Sequence, residues 1–480
     1  GEGNAPRPPQ VRGVKNQSRT GFSLRCIYED RNTMMKARTL RLLISGLLFG
    51  LNLCYGESGA DNDTSSKVSV ATGGFVGFEN GQIVKGVSGK SSIQFDKGWQ
   101  ERMLVQFTSN FTYKERLRLI MAVEGQLGFS FPQSVNDIDN QLPRFWLYPA
   151  DVSVTYTLGN TAQPYLQFGF GYFPFKYDKY VRNLGEFLFR SGTYPPYIIN
   201  NFNAPFARLL GFRASSTLFG SLRQDLLFTS DAAIFPTQDF SLSYLTHYTV
   251  AGCLEIGAGI SLAHFFSIEQ QLTSPTQFPD TMDPTREKMA MYITENGDTA
   301  YYSFKGIKPV AMFNFDPKPL LPLSWSAVLG KDDAVLYGEV CVIGWENYKN
   351  YNTDTNVARS LDYSDRLDRT VAMVGLNIPV FKTLDALSLE FEYFPTPSNS
   401  YKNVIDLNLP VYFYDPSKKN SPLKWSLYAK KTFFNRYSII GQIARDHMRP
   451  SFPSYIDMER DDVLKRDSDW WWVLRAMIKF

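Results

Sequence analysis

Residues 470–480 read WWWVLRAMIKF, and the spacing within this short stretch decides the fold class. Trp472, Leu474, Ala476, Ile478 and Phe480 fall on one side, and Val473, Arg475, Met477 and Lys479 on the other. A helix would place apolar residues three and four apart. Strict alternation is the period of a strand with one apolar face and one partly charged face. A strand at the end of the sequence needs a partner, so the rest of the chain must supply sheet.

It does, in segments of about ten residues that repeat the same alternation. In 101–111, Met103, Val105 and Phe107 oppose Arg102, Gln106 and Thr108. In 117–128, Leu119, Met121 and Val123 oppose Arg118 and Glu124. In 385–394, Leu387, Leu389, Phe391 and Tyr393 oppose Ser388, Glu390 and Glu392. Sixteen such strands are expected between 66–78 and 468–480. Short connections (TYKE, GNTAQ, FGS at 219–221, FKTL, TFFN) alternate with long ones at 174–206, 267–300, 346–367, 396–420 and 447–467. The connection 316–332 is long where a short turn belongs. Aromatics form 15% of the 480 residues, with 37 Phe and 27 Tyr. Mean hydropathy is nevertheless only −0.24. Much aromatic surface at ordinary polarity fits a sheet facing lipid on one side and water on the other. A large soluble β-protein would share the alternation but not the long/short rhythm of its loops. The expectation is therefore all-β: a single transmembrane, antiparallel, up-and-down barrel of about 16 strands (14–18), with long extracellular loops and short periplasmic turns. Closure of the last strand on the first leaves no edge exposed.

The start of the chain reads differently. Residues 1–33 are basic and rich in Pro, Gly and Ser, and are expected to be a non-native upstream extension. Residues 34–56 combine Lys36, Arg38 and Arg41 with an apolar run from Leu42 to Leu53 and small residues before a polar stretch. That is the form of a signal peptide, too short to span a bilayer. Residues 57–65 would then be a periplasmic segment and 66–480 the barrel. Residues 1–56 hold nine of the 50 basic and three of the 47 acidic residues, leaving 41 against 44. The basic excess thus belongs to the leader and gives no reason to expect nucleic acid as a partner. Only Cys253 and Cys341 remain, which excludes a disulfide framework or a cysteine metal site. With three histidines and neither a GxSxG nor an HExxH pattern, no enzyme chemistry, cofactor or metal is expected.

Trp472, Leu474, Ile478 and the terminal Phe480 resemble the C-terminal assembly signal of Gram-negative outer-membrane β-barrel proteins. The alternating strands and loops extend that resemblance, more loosely, over 66–480. It implies a bacterial outer-membrane location, with outer-membrane lipid and the barrel assembly machinery as partners. Within that group the chain looks porin-like, which implies passive diffusion of small hydrophilic solutes or ions. A homo-trimer stays open. The alternatives are a non-conducting barrel for adhesion, display or anchoring, and a hydrophobic-ligand transporter. A barrel of this size leaves an aqueous lumen. Its wall is expected to carry Arg118, Glu124, Arg213, Glu255, Glu339, Glu390, Glu392, Lys430 and Arg445. Loop 174–206 resembles the porin arrangement in which one long loop folds inward. Lys176, Lys179, Arg182, Glu186 and Arg190 are the candidates for a constriction, and NLGEFLFRS could form a short helical turn there. With Asp178 counted, the loop carries a local excess of two positive charges, which points to weak anion preference.

Overall fold

The computed structural model describes residues 68–86, 98–131, 144–159, 164–189, 198–201, 204–230, 239–267, 291–293, 299–301, 306–343, 345, 350–352, 357–359, 366–367, 370–395, 421–448 and 463–480. Residues 1–33, 34–56 and 57–65, where an upstream extension, a signal peptide and a periplasmic segment are expected, lie outside these residues. So do Arg190 and most of the long loops.

Sixteen strands run up and down in chain order. They are β1 (Val68–Lys85), β2 (Gly98–Tyr113), β3 (Leu117–Phe131), β4 (Arg144–Gly159), β5 (Pro164–Phe175), β6 (Ala204–Leu218), β7 (Leu222–Ser230) and β8 (Asp239–Val250). There follow β9 (Leu254–Ser267), β10 (Gly306–Phe315), β11 (Leu336–Val342), β12 (Thr370–Asn377), β13 (Ala386–Tyr393), β14 (Leu423–Phe433), β15 (Tyr437–Arg445) and β16 (Trp470–Lys479). Each pairs antiparallel with its neighbours, and β16 pairs with β1 from Phe75↔Lys479 to Lys85↔Trp470. The sheet is closed. A seventeenth strand in it, Ile198–Asn201, only extends the ladder on the start of β6. All sixteen segments expected from alternation are present.

The burial is inverted relative to a water-soluble protein. On β13, Glu390 and Glu392 are each 1% exposed while Phe391 and Tyr393 are 43% and 51% exposed. On β12, Val374 and Leu376 face out while Val371 and Met373 are buried. On β16, Leu474 and Ile478 are exposed and Arg475 is buried. Apolar outside and polar inside is a stable arrangement only where the outer medium is hydrocarbon.

Five connections are tight turns with an i→i+3 backbone bond, at 113–116, 218–221, 250–253, 380–383 and 433–436. In each, both central residues have positive φ, which defines a type I′ turn. Its twist matches that of the flanking strands. Because Val68 is the register partner of Tyr113, the barrel begins at this same short-turn end. The connection β10–β11 is the long one here; it contains a 3₁₀ turn, Lys318–Leu320, and a helix, Leu323–Val328.

The seam is closed by side chains as well as backbone. Glu79 on β1 accepts from Arg102 on β2 at 2.8 Å and from Arg475 on β16 at 2.7 Å. The three are register partners across adjacent strands. Phe480 exchanges two backbone bonds of 3.1 Å with Gly74. A Cβ at Gly74 would come within 2.8 Å of the Phe480 ring, so only glycine lets that ring lie over the strand. The Phe107 ring flanks it at 5.8 Å. On β16, Trp472 meets Trp99 edge-on at 5.7 Å, and Leu474, Ile478 and, just beyond the strand, Phe480 face outward.

Candidate functional site: a segment clasped to the inner wall

After β5 the chain turns inward, and residues 176–189 lie against lumen-facing side chains of at least six strands. Val181, Leu184, Phe187 and Leu188 are fully buried. They pack with Leu227, Leu245, Val310, Met312, Cys341, Val371 and Met373 from β7, β8, β10, β11 and β12. These form an apolar stretch of the inner wall, and the segment covers it.

Three wall carboxylates hold the segment's backbone. Glu390 accepts from the N–H groups of Arg182, Asn183 and Leu184 at 2.5, 2.9 and 2.9 Å. Glu392 accepts from Gly185 at 3.2 Å. Glu339 accepts from Glu186 and Phe187, each at 2.8 Å. Successive N–H groups converging on an anion need a backbone that departs from a helix. Gly185 and Glu186 supply it with φ of +83° and +57°. Over the described part of NLGEFLFRS, 183–189, no helix forms; one i→i+3 bond, from Phe189 N–H to the Glu186 carbonyl at 3.3 Å, closes a single turn. The N–H groups from Arg182 to Phe187 are taken by the wall carboxylates.

The clasp is braced on both sides. The Tyr337 hydroxyl donates to Glu390 at 2.8 Å, and the Tyr177 hydroxyl to Glu339 at 2.6 Å. The Tyr337 ring stacks on Tyr180. It also lies where a Cβ on Gly375, its register partner, would be, 2.2 Å from the ring. The Lys308 ammonium donates to the Leu188 carbonyl at 2.6 Å, and Asn183 to Asp446 at 2.5 Å. His447 pairs with Glu392. None of Tyr177, Tyr337, Asn183, Lys308 or Asp446 stood out in the sequence. The available signal was the apolar Val310, Met312, Cys341, Val371 and Met373 on the inward phase of β10–β12, interspersed with Lys308 and Glu339.

The structure places the constriction candidates unequally. Lys176 is half-buried, with its ammonium on the Val181 carbonyl. Burial brings its pKa down to about 8 against the pull of Glu186. Glu186 is fully buried and accepts from Asp178 N–H at 2.8 Å. Burial raises its carboxyl well above the usual range. Arg182 pairs with Asp332 at 2.7 Å. Among the described candidates only Lys179 is exposed, lying 4.8 Å from the Tyr180 ring centre. Lys176 and Arg182 are engaged within the protein.

The wall candidates also divide. Glu339, Glu390 and Glu392, expected to stand in a solvated pore wall, are buried clasps. Glu124 accepts from Arg208 at 2.8 Å and from Tyr148. Asp225 accepts from Arg213 at 3.0 and 2.8 Å. Glu255 meets His247 at 3.0 Å and Arg223 at 3.6 Å. Arg118 donates to Asn110 at 2.8 Å, and Lys430 is half-buried on the inner phase of β14. Arg445 is misplaced by the sequence reading. It shares the phase of exposed Ile439 and Ile443, and its guanidinium reaches the Ser421 carbonyl and Asp467, both at 3.1 Å, at the strand end. The lumen carboxylates are thus engaged as acceptors, whereas Arg118 is exposed and the Arg213 and Arg223 side chains are 34% and 42% exposed.

An antiparallel sheet closed on itself, with an apolar exterior and a charged, hydrogen-bonded interior, is a transmembrane β-barrel. No family model matches the sequence, and no curated protein matches it. Among solved structures the chain is similar to OprB of Pseudomonas putida in its high-pH structure. That pair is 11% identical, with 86% of this chain and 94% of that one covered, at a TM-score of 0.45. It is also similar to Salmonella typhi OmpF in complex with daunomycin, at 12% identity, 86% and 98% coverage and a TM-score of 0.41. A mutant Rh. blastica porin aligns at 6% identity over 86% and 100% of the two chains, with a TM-score of 0.38.

Proposed function

We propose that the chain is a bacterial outer-membrane channel for passive diffusion of small hydrophilic solutes, with weak preference for anions. In this reading residues 176–189 narrow the lumen by covering the wall on one side, and solutes pass along the remaining wall, where Glu79, Arg102, Gln442 and Arg475 stand beside the apolar Leu104, Ile440 and Met477. The observation that carries it is the clasp: Glu339, Glu390 and Glu392 fix an inward segment to the inside of a closed barrel. Anion preference follows from the wall rather than from the segment. The carboxylates are buried against their donors, whereas Arg118 is exposed and the side chains of Arg213 and Arg223, although paired with Asp225 and Glu255, are 34% and 42% exposed. Fixed charges along a narrow, partly low-dielectric passage bias which ions enter.

The apolar packing of the segment against the wall favours a second reading, a non-conducting barrel used for anchoring or display. Reversal potential under a KCl gradient tests the first. Changing Arg118, Arg213 and Arg223 together to Gln should move it towards cations at low salt, and more than changing Lys179 and Arg182. The shift should fade at high salt, where the Debye length is ~3 Å at 1 M. An unchanged potential at low salt means that these arginines do not line the path.

A further inference from the structure

Three of the five type I′ turns carry phenylalanine at their first central position: Phe219, Phe381 and Phe434, with φ of 55°, 52° and 52°. The position calls for Asn, Asp or Gly. A bulky residue at positive φ is strained, and strain of this kind persists where something offsets it. Nothing within the barrel does so, because Phe219 is 95%, Phe434 87% and Phe381 52% exposed. The fourth element at this end is the β10–β11 connection. Leu320, Leu323, Trp325 and Val328 are 63%, 88%, 59% and 52% exposed. Its backbone is nevertheless firmly tied. Asp333 accepts from the N–H groups of Gly330 at 2.7 Å and Phe381 at 2.9 Å. Lys318 donates to the Asp333 carbonyl at 2.6 Å, and Lys382 to that of Ala327. The chain therefore holds these apolar side chains outward in a fixed frame.

We propose that this short-turn end is a membrane-seated foot, in which the turn phenylalanines and the Leu320–Val328 projection enter the adjoining phospholipid leaflet and set the depth of the barrel. This rests on the transmembrane reading and goes beyond it, since the residues lie past the strands. The occupant is lipid rather than a protein for two reasons. The apolar tips are continuous with the lipid-facing belt, where Leu218, Leu376, Phe433 and Tyr437 are exposed next to them. They also sit at four separate connections over about half of the ring, between β6 and β7, β10 and β11, β12 and β13, and β14 and β15, interrupted by the Ala251–Gly252 turn between β8 and β9. A globular partner would cover one contiguous patch, whereas a leaflet surrounds the barrel. Aromatic side chains settle at the boundary between headgroups and acyl chains.

The test uses single cysteines at Phe219, Trp325 and Phe434, each carrying a fluorophore, in the folded barrel reconstituted into phosphatidylcholine vesicles with a shallow nitroxide-labelled lipid. Lys114→Cys, at the equivalent position of a turn without an apolar tip, is the aqueous reference. Val374→Cys, in the middle of the belt and read with a deep nitroxide, reports insertion. The expected result is roughly twofold or greater quenching at 219, 325 and 434 relative to 114, as for groups seated at the leaflet boundary. Quenching at 374 with none at the three tips, and access of the tips to aqueous iodide, would overturn the foot and leave the barrel intact. Tips shielded from both lipid and iodide would overturn it in favour of a protein contact. No quenching at 374 would remove the transmembrane reading itself.

Discussion

Replacing Glu339 and Glu390 together by alanine is expected to free residues 176–189 from the wall and to raise single-channel conductance, with the barrel still folded. The two carboxylates accept five backbone N–H groups of the segment. They also accept the Tyr337 and Tyr177 hydroxyls. Each buried donor left without an acceptor costs ~1–3 kcal/mol, so the double change removes several times the strength of one hydrogen bond. The strand ladders do not use these carboxylates, so heat-modifiable mobility should persist. Glu390→Gln separates acceptor chemistry from packing. It keeps the size of the side chain and one acceptor oxygen, but places an NH₂ group either against Arg182 N–H and the Tyr337 hydroxyl or against the N–H groups of Asn183 and Leu184, and should loosen the segment less than alanine. Protease cleavage within 176–189 in the variants, absent from the native protein, is the companion readout. Unchanged conductance together with full protection would mean that apolar packing alone seats the segment.

Deleting Phe480 is expected to lower the yield of assembled barrel sharply, and Phe480→Ala less so. The deletion removes both backbone bonds to Gly74 and moves the free carboxylate to Lys479, at the closing seam. Backbone groups left unpaired against hydrocarbon cost several kcal/mol each. The alanine variant keeps those bonds and loses only the ring over Gly74 and beside Phe107. The fraction of heat-modifiable protein after refolding into lipid measures both. Native yields from the deletion would show that the seam is secured elsewhere, for instance by Glu79 between Arg102 and Arg475.

The strand plan was legible in the sequence because a barrel in lipid repeats one rule along every strand. Leu474 beside Arg475 and Phe391 beside Glu390 announce their faces without reference to any neighbour. Residues 470–480 sufficed to set the period, and pairing with β1 followed from the need to close. The site was far less legible. A glutamate on the inward phase reads the same whether it faces water or accepts from a backbone 208 positions away, as Glu390 does from Arg182. No helix forms over 183–189 for the same reason, since the N–H groups from Asn183 to Phe187 have acceptors outside the segment. Arg445 was read as lumenal because it is charged, although strict alternation puts it in the phase of Ile439 and Ile443; its guanidinium turns to the strand end instead. The phenylalanines in type I′ turns contradict local preference, and composition alone gave no cause to place them at positive φ.

The central claim is that a water-filled, arginine-lined passage runs through the barrel beside the clasped segment. Planar-bilayer recording from the purified, folded barrel at low salt under a KCl gradient tests it most directly. The account predicts discrete conductance steps and a reversal potential displaced to the anion side. Silence from a barrel that is demonstrably folded and inserted, or steps with a cation-side potential, would contradict it.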